Sequence, residues 1–257
     1  MAEKTNRVQQ TEDKLQELFG GVTGGMMDTD PEFMTILQRQ IFGDIFHTAD
    51  LDDRAREIIT IVVALATLQT LPQLEAHIHA ALNIDVSPVT IRETIYQTAP
   101  FIGYPKTLNA IATMNKVFES HEIALPLPSS ATTTEDDRFE KGRELQESLY
   151  GTEIKGAFAS LPAPLNEAIA YHLSATGFGD FETRKDLSVA QRELLIVVIL
   201  TAHGDVANQL VPHFHGPVKA GNSPEKILAA LLQAYPYVGF PRFINAVRIF
   251  RETGLLD

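Results

Sequence analysis

The sequence contains no cysteine. This absence excludes disulfide bonds, catalysis by a thiolate and metal sites with cysteine ligands, because each needs a sulfur atom that the chain lacks. Cations are also scarce, since 21 Lys and Arg residues stand against 33 Asp and Glu residues, and the net charge is −12. Nucleic acid is therefore not expected as a partner, because binding to phosphates requires clustered positive charge.

Long apolar runs are absent as well. The most apolar segment, from Ile58 to Leu68, is shorter than the 18 or so residues that a helix needs to cross a bilayer. The first residues, Met1 to Val8, are polar and lack the apolar core of a signal peptide. We therefore expect no membrane association and a cytoplasmic location. No stretch shows the period-two alternation of β-strands, which favours an all-α fold.

The chain contains one sequence unit twice. Residues 42–115 align without gaps with residues 178–251 at an offset of 136, and 22 of the 74 pairs are identical. The identities fall mostly on polar residues, glycine and proline, in the order Arg-Glu, Gln-x-x-x-His-x-His, Ser-Pro and Gly-x-Pro. Recurrence at a fixed offset predicts a duplicated module.

Helical periodicity and capping signals predict the same four helices in both copies, over residues 52–70, 72–82, 89–99 and 106–121 in the first and over 188–202, 206–220, 224–235 and 241–253 in the second. Two further helices, 138–150 and 164–176, are expected before the four of the second copy. Phe42-Gly-Asp44 and Phe178-Gly-Asp180 are expected to turn the chain. Residues 124–137 are rich in Pro, Ser and Thr, and they are predicted to link a first domain, residues 1–123, to a second, residues 138–257.

Each copy carries two histidines separated by one residue, His77 and His79 in the first copy and His213 and His215 in the second. On a helix this spacing places the two side chains about 200° apart, so they cannot easily share one metal ion. We therefore do not expect the histidine pairs to hold a metal ion. The simplest structural interpretation is one buried and one exposed histidine per copy.

A glutamine lies one helical turn before the first histidine of each pair. Gln73 precedes His77 by four residues, and Gln209 precedes His213 by the same number. Residues four apart share one helix face. An amide and an imidazole placed in this way could orient a carbonyl or carboxylate ligand.

A glutamate stands 20 residues before the same histidine. Glu57 precedes His77, and Glu193 precedes His213, each on the preceding predicted helix. A carboxylate that reaches the imidazole across a helical hairpin would fix the tautomer of the ring and raise its pKa. The alternative is an Arg-Glu pair on the surface at the start of a helix.

Helix breaks with a shared pattern follow in both copies, at residues 100–105 and 236–241. The glycine gives a tight turn and the proline restarts a helix, whose free N–H groups could hold a carboxylate. One turn further on, Asn109 and Asn245 could line a pocket or join helices. Arg248, where the first copy has Ala112, could bind an acidic substrate or be a surface charge.

As an ordered set, these motifs resemble the carboxymuconolactone decarboxylase family, which includes alkyl hydroperoxidase D-like proteins. The resemblance covers Phe42–Phe118 and Phe178–Phe250. It implies an all-α fold with two alkyl hydroperoxidase D-like helical domains in one chain. Members of the family commonly form trimers or hexamers of a smaller unit, so the resemblance also implies a homo-oligomer, with a trimer of this tandem chain imitating a hexamer.

The hydroperoxidase branch of that family uses Cys-x-x-Cys-x-x-x-His. The cysteine positions fall here on Thr70 and Gln73 in the first copy and on Val206 and Gln209 in the second, so thiol peroxidase chemistry is impossible. The chain agrees better with the decarboxylase branch. That branch implies a cofactor-independent lyase acting on a small carboxylated lactone or a related acid.

The resemblance also implies roles for the shared residues. His77 or His213 would return a proton to carbon, and Glu57 or Glu193 would orient the ring. The substrate oxygens would be bound by further polar side chains: Gln73, Gln209, His79, His215, Asn109, Asn245 and Arg248. Two alternatives remain open at this point, a non-enzymatic ligand-binding oligomer on the same scaffold and a metal-dependent hydrolase or lyase.

Overall fold

The computed structural model describes residues 6–22, 25–61, 67–152 and 154–256, and within these ranges every regular element is a helix. The expected all-α class is confirmed. The first copy contains seven α-helices in its described part: α1 (Arg7–Phe19), α2 (Pro31–Gln38), α3 (Asp53–Thr60), α4 (Leu71–Asn83), α5 (Pro88–Tyr96), α6 (Ala99–Ile102) and α7 (Tyr104–Ser120).

The second copy also contains seven: α8 (Arg138–Tyr150), α9 (Ile154–Ala157), α10 (Leu165–His172), α11 (Val189–His203), α12 (Ala207–Lys219), α13 (Pro224–Val238) and α14 (Phe240–Glu252). Both copies include a π-helical segment, Arg39–Asp44 in the first and Leu173–Glu182 in the second. None of the helices in the described ranges is long and apolar enough to span a membrane.

Local sequence explains where these helices begin. The hydroxyls of Ser87, Ser188 and Ser223 each accept a hydrogen bond from the backbone N–H three residues later, at the starts of α5, α11 and α13. Such a cap satisfies one of the N–H groups that the first helical turn leaves free. Gly103 and Gly239 have φ angles of 82° and 79°, which favour glycine, and each separates two consecutive helices.

Several predicted helices end differently in the structure. The helix expected over residues 164–176 is α-helical only over Leu165–His172, and the π-helical segment Leu173–Glu182 continues it. The helix expected over residues 52–70 is wrong at 67–69, which form a turn with Gln69 at a φ of 60°, while residues 62–66 lie outside the described part. In the second copy, α13 continues to Val238 with Pro236 inside it, whereas the first copy divides the same stretch into α5 and α6. Helical periodicity alone does not register such ends.

The expected turn at Phe42-Gly-Asp44 is instead the end of a π-helical segment that crosses α1. A Cβ atom at Gly43 would lie 2.5 Å from Oγ1 of Thr11, so only glycine permits this close approach. Next to it, Asp44 pairs with Arg7 at 2.6 Å. The second copy repeats the close crossing and the ion pair with Gly179, Asp180 and Arg138. The motif therefore docks an N-terminal helix.

The segment between the copies has no helix from residue 124 to 137, but its backbone is held in place. The buried Ser130 donates a hydrogen bond to Asp186 at 2.5 Å and accepts one from Arg92 at 2.7 Å. Thr132 donates a further hydrogen bond to the carbonyl of Thr183. The segment thus ties the first copy to the second instead of separating them.

The two copies share one hydrophobic core and exchange a pair of buried hydrogen bonds. Nη1 of Arg56 donates to Oε1 of Gln233 at 3.0 Å, and Nη1 of Arg192 donates to Oε1 of Gln97 at 3.2 Å. Both pairs are equivalent at the 136-residue offset, and each joins one copy to the other. We call them the reciprocal Arg–Gln pairs.

We predict that Gln233→Leu lowers the free energy of unfolding by about 1–3 kcal/mol, because it leaves the buried guanidinium of Arg56 short of one acceptor. Gln233→Glu keeps an acceptor for Arg56 and should cost less. Chemical denaturation of the two variants and the unmodified chain measures the difference. Equal destabilisation by both would show that the hydrogen bond does not hold the copies together.

Candidate active site

The first site lies where α3 and α4 pack against each other. Oε2 of Glu57 is 2.7 Å from Nδ1 of His77, and both side chains are buried. The hydrogen bond fixes the orientation of the imidazole and leaves Nε2 as the nitrogen available to a ligand. Glu57 Oε1 is buried and has no partner among the described residues.

The second site has the same two residues but a different arrangement. Here the hydroxyl of Tyr150 stands between them, 2.5 Å from Oε2 of Glu193 and 2.7 Å from Nδ1 of His213. Oε1 of Glu193 is buried and without a partner in the described part of the chain. The phenol therefore separates the carboxyl group from the imidazole and forms a hydrogen bond with each.

A pair of coupled residue differences explains why the sites differ. Phe19, the last residue of α1, lies against His77 with ring centroids 5.7 Å apart, where Tyr150, the last residue of α8, lies against His213 at 5.1 Å. A Cβ atom at Gly216 would overlap both the Tyr150 hydroxyl and Glu193. The equivalent residue in the first copy is Ala80, which is buried beside a ring that has no hydroxyl.

Each histidine also contacts an aromatic ring from the opposite copy. Tyr237, on α13, meets His77 edge-on at 5.7 Å, and Phe101, on α6, meets His213 at 6.3 Å. These two aromatic residues are equivalent at the 136-residue offset. Both sites are therefore completed across the boundary between copies.

Burial and nearby acidic groups dominate the electrostatics of the second site. Burial raises the pKa of Glu193 to about 8, and the neighbouring Glu182 adds to the shift. Burial likewise raises the pKa of Glu182 to about 7, against the opposing effect of Arg192. Near neutral pH Glu193 therefore favours the neutral form, whereas Glu182 is divided between the neutral and the ionised form.

The imidazole of the second site is neutral as well. Desolvation lowers the pKa of His213 to about 4, the opposite of the rise expected from the sequence. The reason is that the hydroxyl of Tyr150, and not an ionised carboxylate, faces Nδ1. Burial and the carboxyl group of Glu193 also raise the pKa of Tyr150, so the phenol keeps its proton.

The glutamines and the second histidines of the motif do not take part in the hydrogen bonds of the two sites. Gln73 and Gln209 are exposed, and neither forms a hydrogen bond with its histidine in the described part of the chain. Nδ1 of His79 is 2.7 Å from Nε2 of His121 at the surface. His215 is partly buried on α12.

The remaining predicted binding residues bond to partners other than the two Glu–His pairs. The amide of Asn109 donates to Gln69 at 2.9 Å on an exposed face. Arg248 donates to Asn245 at 3.2 Å and lies 3.6 Å from Glu252, with its side chain largely exposed. Across the described residues, no group of three or more His, Cys, Asp or Glu side chains is placed to hold a metal ion.

Sequence reasoning did not find Tyr150, Phe19 or Tyr237. Tyr150 and Phe19 lie before the aligned blocks and are related by an offset of 131 (150 − 19), which the gapless alignment at 136 cannot detect. The available signal was that both end a 13-residue helix and both precede a glycine. Tyr237 and Phe101 lie within the aligned blocks, but no local pattern indicates that each packs against the other copy.

The family to which this architecture belongs follows from two comparisons. The profile of the carboxymuconolactone decarboxylase family matches residues 31–116 and 167–252, which are again 136 residues apart. The chain belongs to this family and carries its domain twice. No curated protein matches the sequence significantly.

A solved structure has the same fold. It is that of a presumed gamma-carboxymuconolactone decarboxylase subunit from Burkholderia xenovorans LB400, with a TM-score of 0.55 and 19% sequence identity. The similarity covers 96% of this chain and 95% of that one. At this identity the similarity supports the tandem fold and does not extend to a substrate.

We predict that the free energy of unfolding falls as pH rises from 6.5 to 8. The folded protein holds protons on Glu182 and Glu193 that the unfolded chain, with ordinary carboxyl pKa values near 4.5, has already lost. Below pH 6.5 the trend is opposed, because the unfolded chain protonates His213 and the folded one does not.

Chemical denaturation at several pH values in this window measures the slope. Glu182→Gln should make it shallower, since one of the two proton-retaining groups is removed. Glu119→Gln, which removes an exposed carboxylate, controls for the change in net charge. A slope unaffected by Glu182→Gln would rule out the assigned protonation of that residue.

Proposed function

We propose that this protein is a cofactor-independent carboxy-lyase that acts on a small carboxylated lactone or a related acid. The observation that carries the proposal is the Glu–His pair, which occurs in both copies of a carboxymuconolactone decarboxylase domain with Nδ1 engaged and Nε2 left over. The lack of cysteine removes the thiol chemistry of the peroxidase branch from consideration.

The chemistry asks little beyond hydrogen bonds and one proton. When the carboxylate leaves as CO₂, the electron pair of the broken C–C bond moves into the conjugated lactone and forms a dienolate. Hydrogen-bond donors stabilise that oxyanion, and a proton then returns to carbon to give the product. A site with little water favours the first step, because the departing carboxylate is poorly solvated there.

In this proposal Nε2 of His77 or His213 delivers the proton. Glu57 orients His77 through a direct hydrogen bond, and Glu193 acts on His213 through Tyr150. Tyr237 and Phe101 supply apolar surface beside the rings. The substrate oxygens are proposed to be bound by the other polar residues of the motifs: Gln73, Gln209, Asn109, Asn245, Arg248, His79 and His215. The exposed residues among them can do so only if the substrate binds at the surface or a second protein chain covers them.

The second candidate is a ligand-binding protein without catalytic activity on the same scaffold. It is favoured by Arg248, the proposed carboxylate-binding cation, whose guanidinium is largely exposed and pairs with Glu252. Saturable binding of carboxylated lactones without turnover would select this candidate over the lyase.

We also propose that the chain forms homo-oligomers, with a trimer as the expected state. Large apolar side chains are exposed at equivalent positions of α7 and α14: Tyr104 and Leu108 in the first copy, Phe240 and Ile244 in the second. Exposed apolar surface that recurs in both copies is typical of an interface.

Charge placed on that surface should weaken assembly. We predict that Leu108→Glu and Ile244→Glu together lower the mass in solution to that of one chain, because burying unpaired carboxylates is costly. Light scattering after size-exclusion chromatography measures the mass. A wild-type protein that is already monomeric would refute the oligomer without affecting the fold.

Turnover tests the lyase directly. We predict that the purified protein consumes carboxymuconolactone, followed as loss of ultraviolet absorbance together with release of CO₂. His77→Ala and His213→Ala combined should lower kcat by about 100-fold or more, since the proton donors are removed. Each single variant reports the contribution of its own site.

His47→Ala, which changes an exposed histidine, is the matched control and should retain full activity. Unchanged rates in the doubly substituted protein would exclude both histidines as proton donors. A panel of carboxylated lactones that shows no turnover at all would reject the lyase proposal.

A further inference from the structure

Tyr150 occupies a position that restricts how protons can be arranged in the second site. Its hydroxyl has one hydrogen, and that hydrogen can point to Oε2 of Glu193 at 2.5 Å or to Nδ1 of His213 at 2.7 Å. Whichever acceptor it chooses, the other neighbour must be the donor. The hydrogens of the three groups are therefore oriented together.

Two arrangements satisfy this restriction. When Glu193 is ionised, Tyr150 donates to the carboxylate and Nδ1–H of His213 donates to the phenol oxygen, so Nε2 carries no proton. When Glu193 is protonated, its O–H donates to Tyr150, which donates to Nδ1, so the proton of the neutral ring resides on Nε2. The protonation of a buried carboxyl group thus selects the tautomer of the imidazole.

We propose that Tyr150 is the positioning residue through which Glu193 and His213 exchange a proton, so that Nε2 of His213 is a proton donor when Glu193 is neutral and an acceptor when Glu193 is ionised. A proton that binds at Nε2 releases the Nδ1 proton to the phenol oxygen, and the phenol releases its own proton to Oε2. One proton enters at Nε2 and one resides on Glu193 at the end, while Tyr150 remains a neutral phenol.

The surrounding groups are arranged to support this exchange. Gly216 leaves the space that the phenol and the carboxyl group occupy, and any side chain there would displace them. Glu182, on the π-helical segment, acts on both Glu193 and Tyr150, and Arg192, on α11, faces Glu182. Burial, with a further contribution from Glu182, raises the pKa of Glu193 to about 8, so both arrangements are accessible near neutral pH.

The first site lacks the link, which gives the chain two chemically distinct histidines. Phe19 takes the place of the tyrosine, Ala80 takes that of Gly216, and Glu57 contacts His77 directly. A proton taken up at Nε2 of His77 can be shared only between His77 and Glu57. The role of the second site in catalysis rests on the proposed function, whereas the proton exchange itself does not.

Nuclear magnetic resonance of ¹⁵N-labelled histidine tests the exchange, because the ¹⁵N shifts of the ring distinguish a protonated nitrogen from a bare one. The signal of His213 is assigned by its loss in His213→Gln. In the unmodified protein, Nε2 should change from protonated to bare as pH rises through the pKa of Glu193, while the ring stays neutral. The same change should be absent in Tyr150→Phe.

Two further variants keep the result interpretable. Tyr150→Phe with Gly216→Ala reproduces the residues of the first site and should bring Glu193 into direct contact with His213, raising the pKa of that histidine by about one unit or more. Glu182→Gln should keep the tautomer change and move it to lower pH, because a negative neighbour is lost. As an internal control, the His77 signal at any given pH should be the same in every variant.

A tautomer of His213 that ignores pH in the unmodified protein, or that changes equally in Tyr150→Phe, would overturn the proposal. If lactone turnover requires His213 but persists in Tyr150→Phe with the same pH profile, the lyase proposal stands and the proton exchange through Tyr150 has no role in catalysis. If the tautomer changes but the protein shows no turnover, the proton exchange stands and the lyase proposal is rejected. The two proposals can therefore fail separately.

Discussion

The reciprocal Arg–Gln pairs are the constraint on which the rest of the structure depends. A buried guanidinium is costly unless its donors find acceptors, and here each arginine takes at least one acceptor from the other copy: Gln233 for Arg56, and Gln97 together with Glu93 for Arg192. The arginines directly precede Glu57 and Glu193 in the sequence. Anchoring each arginine in the opposite copy therefore also positions the carboxylate that meets the histidine.

The sites share a scaffold but not an electrostatic environment. In the first, the carboxylate and imidazole are in direct contact; in the second, a phenol separates them and a second buried carboxyl group, Glu182, lies nearby. The position equivalent to Glu182 is Phe46, whose ring packs under the guanidinium of Arg56 at 5.5 Å. The first copy thus places the aromatic face of Phe46 beside its buried arginine, where the second copy has the carboxyl group of Glu182.

Much of this fold could be predicted from the sequence, because the alignment reveals the repeat and the Ser-Pro motifs mark the starts of helices through local capping hydrogen bonds. The 20-residue separation of Glu57 and His77 also suggested their proximity, because a helical hairpin of that length returns a side chain to its partner. Spacing cannot tell which face of a helix is exposed, and Gln73 accordingly lies at the surface while His77 is buried. Tyr150 was not predicted because its equivalence to Phe19 depends on packing outside the aligned blocks.

The difference between Phe19 and Tyr150 has a consequence for why the two copies are joined in one chain. An assembly of identical single-domain subunits carries the same residue in every site, so a phenol in one site would appear in all of them. Fusion fixes the partners in a one-to-one ratio and lets each half specialise. Tyr237 and Phe101 each contact the histidine of the other half, so a substitution of either residue changes the surroundings of that histidine. The chain therefore joins, in a single polypeptide, two non-identical domains that each complete the site of the other.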